Sequence, residues 1–183
     1  MRLLIAIELP QEVRDHLVNV SNRLKPQIAK ASFTPPESLH ITLKFLGEVE
    51  GRLTDLKESL VMIRAGGAIK LFAERIECFP HRGPVRILAA GFGGSVAGVA
   101  ALHQAIEQRC QHLGFERETR AYRPHATLVR GRPTWPPAVR GIAASAATDA
   151  FPGPTFEVSE FILMRSHLQP QGSRYEIIER FSP

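Results

Sequence analysis

The chain has 183 residues, of which 44% are hydrophobic and 22% charged, and a formal net charge of +5. That length and balance describe one folded unit with a sizeable core and exclude a disordered chain. The positive charge suits an anionic partner such as RNA and equally suits plain solubility.

Leu3 to Leu9 reads as a buried strand ended by Pro10, and its apolar run before Glu8 is too short for a signal peptide. Val13, Leu17, Val20 and Leu24 recur at helical spacing, and Pro26 ends or kinks that helix. Ser32 to Ser38, with Pro35-Pro36, reads as a loop. It delivers His40 to Leu46, an alternating half-buried strand stopped by Gly47. Leu53, Leu56, Leu60 and Ile63 trace a second helix, followed by Gly66-Gly67. Ile69 to Phe79 and Val85 to Phe92 read as strands joined through Pro80 and Pro84. Gly93-Gly94 opens a third helix carrying Val99, Leu102, Ile106 and Leu113. Arg123-Pro124 precedes a strand from His125 to Val129. Gly131 to Pro154 reads as a loop with a short helix around Val139 to Ala147. Phe156 to Arg165 and Arg174 to Phe181 form an expected closing pair of strands, separated by Pro170-Gln171-Gly172.

No apolar stretch of about 20 residues is present, so no membrane span is expected. Cys78 and Cys110 are the only cysteines, and both read as buried structural thiols in a cytoplasmic protein. No Cys/His cluster or HExxH spacing marks a metal site.

The order of elements suggests an α+β unit of two pseudo-equivalent lobes within one domain, 1–183. Each lobe is a sheet with helices on its outer face. The lobes each carry a His-x-Thr-Leu tetrapeptide, His40-Ile41-Thr42-Leu43 and His125-Ala126-Thr127-Leu128, 85 positions apart. On a strand, residues two apart share a face, so each His stands beside its Thr. Histidine titrates near neutrality, so two of them can divide the work of base and acid. The threonine hydroxyls can donate to non-bridging phosphate oxygens. In-line attack on a phosphodiester needs the base and acid on opposite sides of phosphorus, and one His from each lobe meets that need. No metal or other cofactor is required by this set.

Lys44, two residues beyond Thr42, reads either as a phosphate contact or as a solvated strand-end lysine. Arg130 ends the second motif strand and is a candidate substrate contact. Tyr122 and Arg123 either line the cleft, Tyr122 by stacking on a base, or pack at its edge. His16, His103 and His112 read as ordinary helix residues. His81, beside Arg82, and His167 read as loop and strand-end residues with a possible substrate-loop role.

These residues resemble the two-histidine phosphoesterases, and within them the RNA 2',3'-cyclic phosphodiesterases, also called 2'-5' RNA ligase-like proteins. The likeness rests on His40 to Glu48 and Arg123 to Arg130. It extends to Ile5-Ala6-Ile7-Glu8-Leu9-Pro10 and Pro35-Pro36-Glu37-Ser38-Leu39, with weaker matches at Val85 to Leu88, Arg165-Ser166, Gly172 and Tyr175. The resemblance implies a bilobal fold with pseudo-twofold symmetry and two antiparallel sheets about a central cleft. It implies His40 as proton donor, His125 as proton acceptor, and opening of a terminal 2',3'-cyclic phosphate to a 2'-phosphomonoester. The implied partners are RNA ends of that kind or small cyclic nucleotides, and a monomer is expected. Relatives often carry an aromatic ring near Leu4 and a tryptophan near Ala89, and this chain has neither. Three alternatives remain: 2'-5' ligation or cleavage of 2'-5' linked and other nucleotide-derived diesters, a non-catalytic RNA-binding module, and a zinc hydrolase.

Overall fold

Alternation and helical periodicity resolve, in the computed structural model, into nine strands and four α-helices among the described residues, 1–169 and 172–183. In chain order these are β1 (Arg2–Glu8), α1 (Gln11–Leu24), β2 (Ala31–Phe33), β3 (His40–Glu48), α2 (Leu53–Val61), β4 (Ile69–Phe79), β5 (Val85–Gly94), α3 (Val96–His112), β6 (His125–Trp135), α4 (Val139–Ala147), β7 (Thr155–Val158), β8 (Phe161–Gln169) and β9 (Gly172–Phe181). No described helix is long and apolar enough to cross a membrane.

The strands form two sheets whose neighbours are all antiparallel, ordered β3-β1-β8-β9 and β2-β6-β5-β4-β7. Each sheet holds one motif strand against an inner strand, β3 on β1 and β6 on β5, as the α+β reading with two related halves expects. The chain weaves between them: the four-stranded sheet takes its strands from both ends of the sequence. Helices α1 and α4 cover the back of the five-stranded sheet, and α2 and α3 that of the four-stranded sheet. One continuous apolar cluster runs behind both sheets, from Leu3, Ile5 and Leu163 to Leu88, Ala126 and Leu128. A second, small cluster of Leu4, Ala6, Ile162 and Met164 lies on the opposite face of the four-stranded sheet.

Four expectations change. The stretch read as one strand from Phe156 to Arg165 is two strands in different sheets, parted at Ser159-Glu160. Thr155–Val158 alternates because β7 is an edge strand; Phe161 to Met164 is continuously buried because β8 is covered on both faces. The Ser32–Ser38 loop contains β2 and a 3₁₀ turn at Pro36–Ser38. Strand β6 runs through Pro133 to Trp135. Gly93-Gly94 belongs to β5, and Gly94 turns there with φ +98°, where a side chain would overlap the Lys70 carbonyl oxygen. Helix α4 spans Val139–Ala147 as expected. Pro170 and Gln171 of the closing turn lie outside the described residues.

Candidate active site

Strands β3 and β6 come from different sheets, yet they approach to within 8 Å between Cα atoms. Between them opens a cleft of ≈ 1340 Å³ lined by His40, Thr42, His125, Thr127 and Arg130.

The two motif strands carry the same local device. In β3, Thr42 pairs with Ala6 and Lys44 with Ile5, so Leu43 is an extra residue in the ladder. In β6, Thr127 pairs with Ala89 and Val129 with Leu88, so Leu128 is the extra residue. Each is a β-bulge placed immediately after the threonine. Both strands therefore open with one burial pattern: half-buried, buried, half-buried, buried, buried, exposed. His and Thr keep the cleft face, and two consecutive residues turn to the core. The residue five after each histidine returns to the cleft side: Phe45 in one strand, Arg130 in the other. Both threonines stand opposite an alanine, whose small side chain leaves the hydroxyl uncovered on the sheet.

The imidazoles are held alike. His40 Nδ1 lies 2.7 Å from the Ser38 carbonyl oxygen, and His125 Nδ1 lies 2.8 Å from that of Arg123. A carbonyl only accepts, so both rings carry their proton on Nδ1 and leave Nε2 available. An aromatic ring steadies each: Tyr175 edge-on to His40 at 4.8 Å between centroids, and Phe79 tilted on His125 at 5.1 Å. Burial pushes the His40 imidazole below the usual histidine range. The Ser38 carbonyl opposes that shift, and the Arg130 guanidinium and His125 add to it.

Of the candidate substrate contacts, Arg130 and Arg123 are exposed and line the cleft. Lys44 is placed differently from both expectations. The bulge at Leu43 breaks the period-two count and turns Lys44 inward, where it is 5% exposed. Its Nζ donates to both carboxylate oxygens of Glu107, at 2.8 and 2.9 Å, and to the Glu116 carbonyl at 2.8 Å. All three ammonium donors are thus used, so Lys44 is neither a solvated lysine nor an uncommitted cation. Tyr122 borders the cleft, but its ring is stacked on His103 at 4.1 Å and its hydroxyl donates to the Thr42 carbonyl at 3.2 Å. His103 takes one ring face, and the hydroxyl ties Tyr122 to the first motif strand. Its phenol is pushed well above the ordinary tyrosine range by burial.

Sequence reading passed over Phe45, Phe79 and Tyr175 as cleft residues. Phe45 is 52% exposed, with the Arg2 guanidinium 4.8 Å from its ring centroid. The signal for it was the parallel between His40 to Phe45 and His125 to Arg130. Of the other histidines, His81 lines the cleft beside Phe79, and His167 pairs with Glu176 at 3.0 Å. Cys110 is fully buried and burial pushes its thiol up to about 12; Cys78 is half-buried, and its thiol is raised in the same sense. No three His, Cys, Asp or Glu side chains gather as a metal-ligand set among the described residues.

The profile of the 2'-5' RNA ligase superfamily matches residues 10–170. The chain belongs to that superfamily. Two superfamily relatives are each named RNA 2',3'-cyclic phosphodiesterase. That of Thermus thermophilus is 31% identical over 100% of this chain and 90% of its own. That of Methanocaldococcus jannaschii is 29% identical over 99% of this chain and 100% of its own. A crystal structure of a Thermus thermophilus protein superposes with a TM-score of 0.80 at 26% identity, covering 100% of this chain and 97% of that one. Escherichia coli LigT, solved with 3'-AMP, superposes with a TM-score of 0.75 at 23% identity, covering 99% and 97%, and so shares the fold.

Proposed function

We propose that this chain is an RNA 2',3'-cyclic phosphodiesterase that works by acid/base catalysis between His40 and His125, without a metal. The observation that carries the reading is one cleft holding two imidazoles with matching Nδ1 anchors, each with a threonine on its own strand face. The full-length relatives named for that reaction support it.

On this reading the cyclic phosphate sits between the motif strands. Thr42, Thr127 and Arg130 meet its non-bridging oxygens, where negative charge grows as water attacks. His125 accepts the water proton at Nε2 while the new oxygen–phosphorus bond forms. His40 gives its proton to the departing 3' oxygen as that bond to phosphorus breaks, leaving a 2'-phosphomonoester. The donor and acceptor roles and the choice of bond follow the family resemblance; the in-line geometry requires one imidazole on each side. Burial favours neutral His40. A bound phosphate monoanion offsets the field of Arg130 and favours the imidazolium that a donor must be. One continuous core behind both sheets supports treating the whole chain as a single catalytic unit, and two free thiols suit a reducing, cytoplasmic setting.

The test is product analysis of RNA bearing a 2',3'-cyclic phosphate, incubated with the protein in EDTA. A 2'-phosphate product is expected. His40→Ala and His125→Ala should each lower kcat by about 10²- to 10⁴-fold. Thr42→Val or Thr127→Val should lower it by about 10²- to 10³-fold. Undiminished turnover by the double histidine variant overturns the mechanism, and loss of activity in EDTA overturns its metal independence.

A further inference from the structure

We propose that the irregular segment from Phe115 to Pro124 is a fixed basic wall that binds the phosphate backbone of the RNA strand leading up to the cyclic end. The inference rests on the phosphodiesterase reading above and adds a second, longer subsite to it. Twelve residues without helix or strand, 113–124, join α3 to β6 along the cleft, and this segment is the last ten of them. A surface stretch of that kind costs roughly 1–2 kcal/mol of backbone entropy per residue to hold in place. This one is tied along its length. The Phe115 amide donates to the Cys110 carbonyl at 3.0 Å, and the Phe115 ring is buried beneath the Arg52 guanidinium. The Lys44–Glu107 ion pair grips the next part: Lys44 Nζ donates to the Glu116 carbonyl at 2.8 Å, and the Glu118 amide donates to Glu107 at 3.2 Å. Tyr122 closes the far end through Thr42 and His103. A buried ion pair is costly to form, and here it is spent on backbone groups of a loop.

Between those ties Arg117, Arg120 and Arg123 are exposed on the cleft wall. Arg120 is matched by Glu118 at 2.8 Å. Arg117 and Arg123 take part in no ion pair among the described residues. Arg130 and Arg132 continue the cationic rim onto β6. Of the acidic lining, Glu107 faces Lys44 and Glu118 faces Arg120, which leaves Glu116 as the one carboxylate there in no ion pair among the described residues, against Arg117, Arg123, Arg130 and Arg132.

A cyclic mononucleotide carries one phosphate, which the two histidines, two threonines and Arg130 already address. It has no use for Arg117 and Arg123. A strand with further phosphodiesters does. The cleft volume of ≈ 1340 Å³ points the same way, because pockets for one small ligand usually span about 300–1,000 Å³. Arg123 also links the two subsites, because its carbonyl fixes the His125 ring while its side chain faces the cleft.

The experiment compares a short RNA oligomer ending in a 2',3'-cyclic phosphate with a 2',3'-cyclic mononucleotide, for the wild type and an Arg117→Gln/Arg123→Gln variant, across a KCl series. For the oligomer the variant should lose about tenfold in kcat/KM near 0.1 M salt, mostly through KM. Its log–log salt slope should be shallower by about 1.4, two contacts at about 0.7 each for single strands. For Arg117→Gln alone the mononucleotide rate should stay within twofold of wild type while the oligomer rate falls, and Arg117→Lys/Arg123→Lys should keep most of the oligomer rate. Equal losses on both substrates in Arg117→Gln, or no loss on either, overturn the wall. If the wild type cleaves neither substrate, the phosphodiesterase reading fails instead. Oligomer affinity, measured by fluorescence anisotropy on the wild type and the Gln variant, then decides the wall separately: a salt-sensitive loss supports it, and equal affinity overturns it.

Discussion

A backbone carbonyl two residues upstream decides which nitrogen each motif histidine offers to the cleft. Ser38 and Arg123 do the same thing for His40 and His125, so the rings start from the same tautomer and differ only in their surroundings. Those surroundings hold His40 low through burial, with Arg130 and His125 adding to it. A donor must be protonated, so activity should fall as pH rises through the His40 pKa. In kcat/KM, which reports the free enzyme, that alkaline limb should lie below the usual histidine value of about 6.5. In kcat, which reports the complex, the phosphate monoanion should move it to higher pH. A pH series on a cyclic substrate measures both. An alkaline limb of kcat that coincides with that of kcat/KM, or lies below it, contradicts a donor role for His40.

At the scale of elements, the duplicated bulge separates what the sequence made legible from what it did not. Period-two alternation places His40 with Thr42 and His125 with Thr127, and it also identified most strands. It fails one residue past each threonine, because no residue type in Thr-Leu-Lys or Thr-Leu-Val marks the extra leucine. Lys44 therefore reads as an open phosphate contact, and it turns out to be buried with its ammonium committed to Glu107. The split between β7 and β8 was hidden for a related reason. Phe156 to Met164 is apolar enough to look like one run, and only the sheet each half joins tells them apart. The buried pair that the bulge creates has a measurable consequence. Lys44 and Glu107 side chains are 4% and 6% exposed. Removing one partner strands a buried charge, at a cost of about 3–5 kcal/mol. Lys44→Met and Glu107→Leu should each destabilise the protein by that order in urea denaturation. The Lys44→Met/Glu107→Leu protein should recover much of the loss, because it buries no lone ion. Single variants within about 0.5 kcal/mol of wild type would show that the pair is not closed off from water.

The fold buries three of its imidazoles in part, and this ties its stability to pH. Burial lowers His40, His103 and His16, each against the usual histidine value. His40 and His103 both border the cleft, His103 stacked on Tyr122, and His16 lies edge-on to Phe151. The unfolded chain binds protons on all three near pH 6.5. The folded chain binds them only at lower pH. Between those values the unfolded state holds more protons, so unfolding free energy rises with pH there. The three sites therefore contribute their full share above about pH 7, and that share drains away as pH falls through 6.5 toward the folded values. Carboxylates do not mimic this window. Glu118, held down to about 2 chiefly by its hydrogen bonds with Arg120, loses its contribution only as pH drops below the ordinary glutamate range. The urea midpoint should thus decline from pH 7.5 to pH 5.5. The decline should be smaller in His40→Gln, whose amide does not titrate. Inorganic phosphate, bound between the motif strands, should flatten the wild-type curve by favouring the charged His40 ring in the folded state. A midpoint independent of pH across that interval would mean that water reaches all three rings as freely in the folded chain as in the unfolded one.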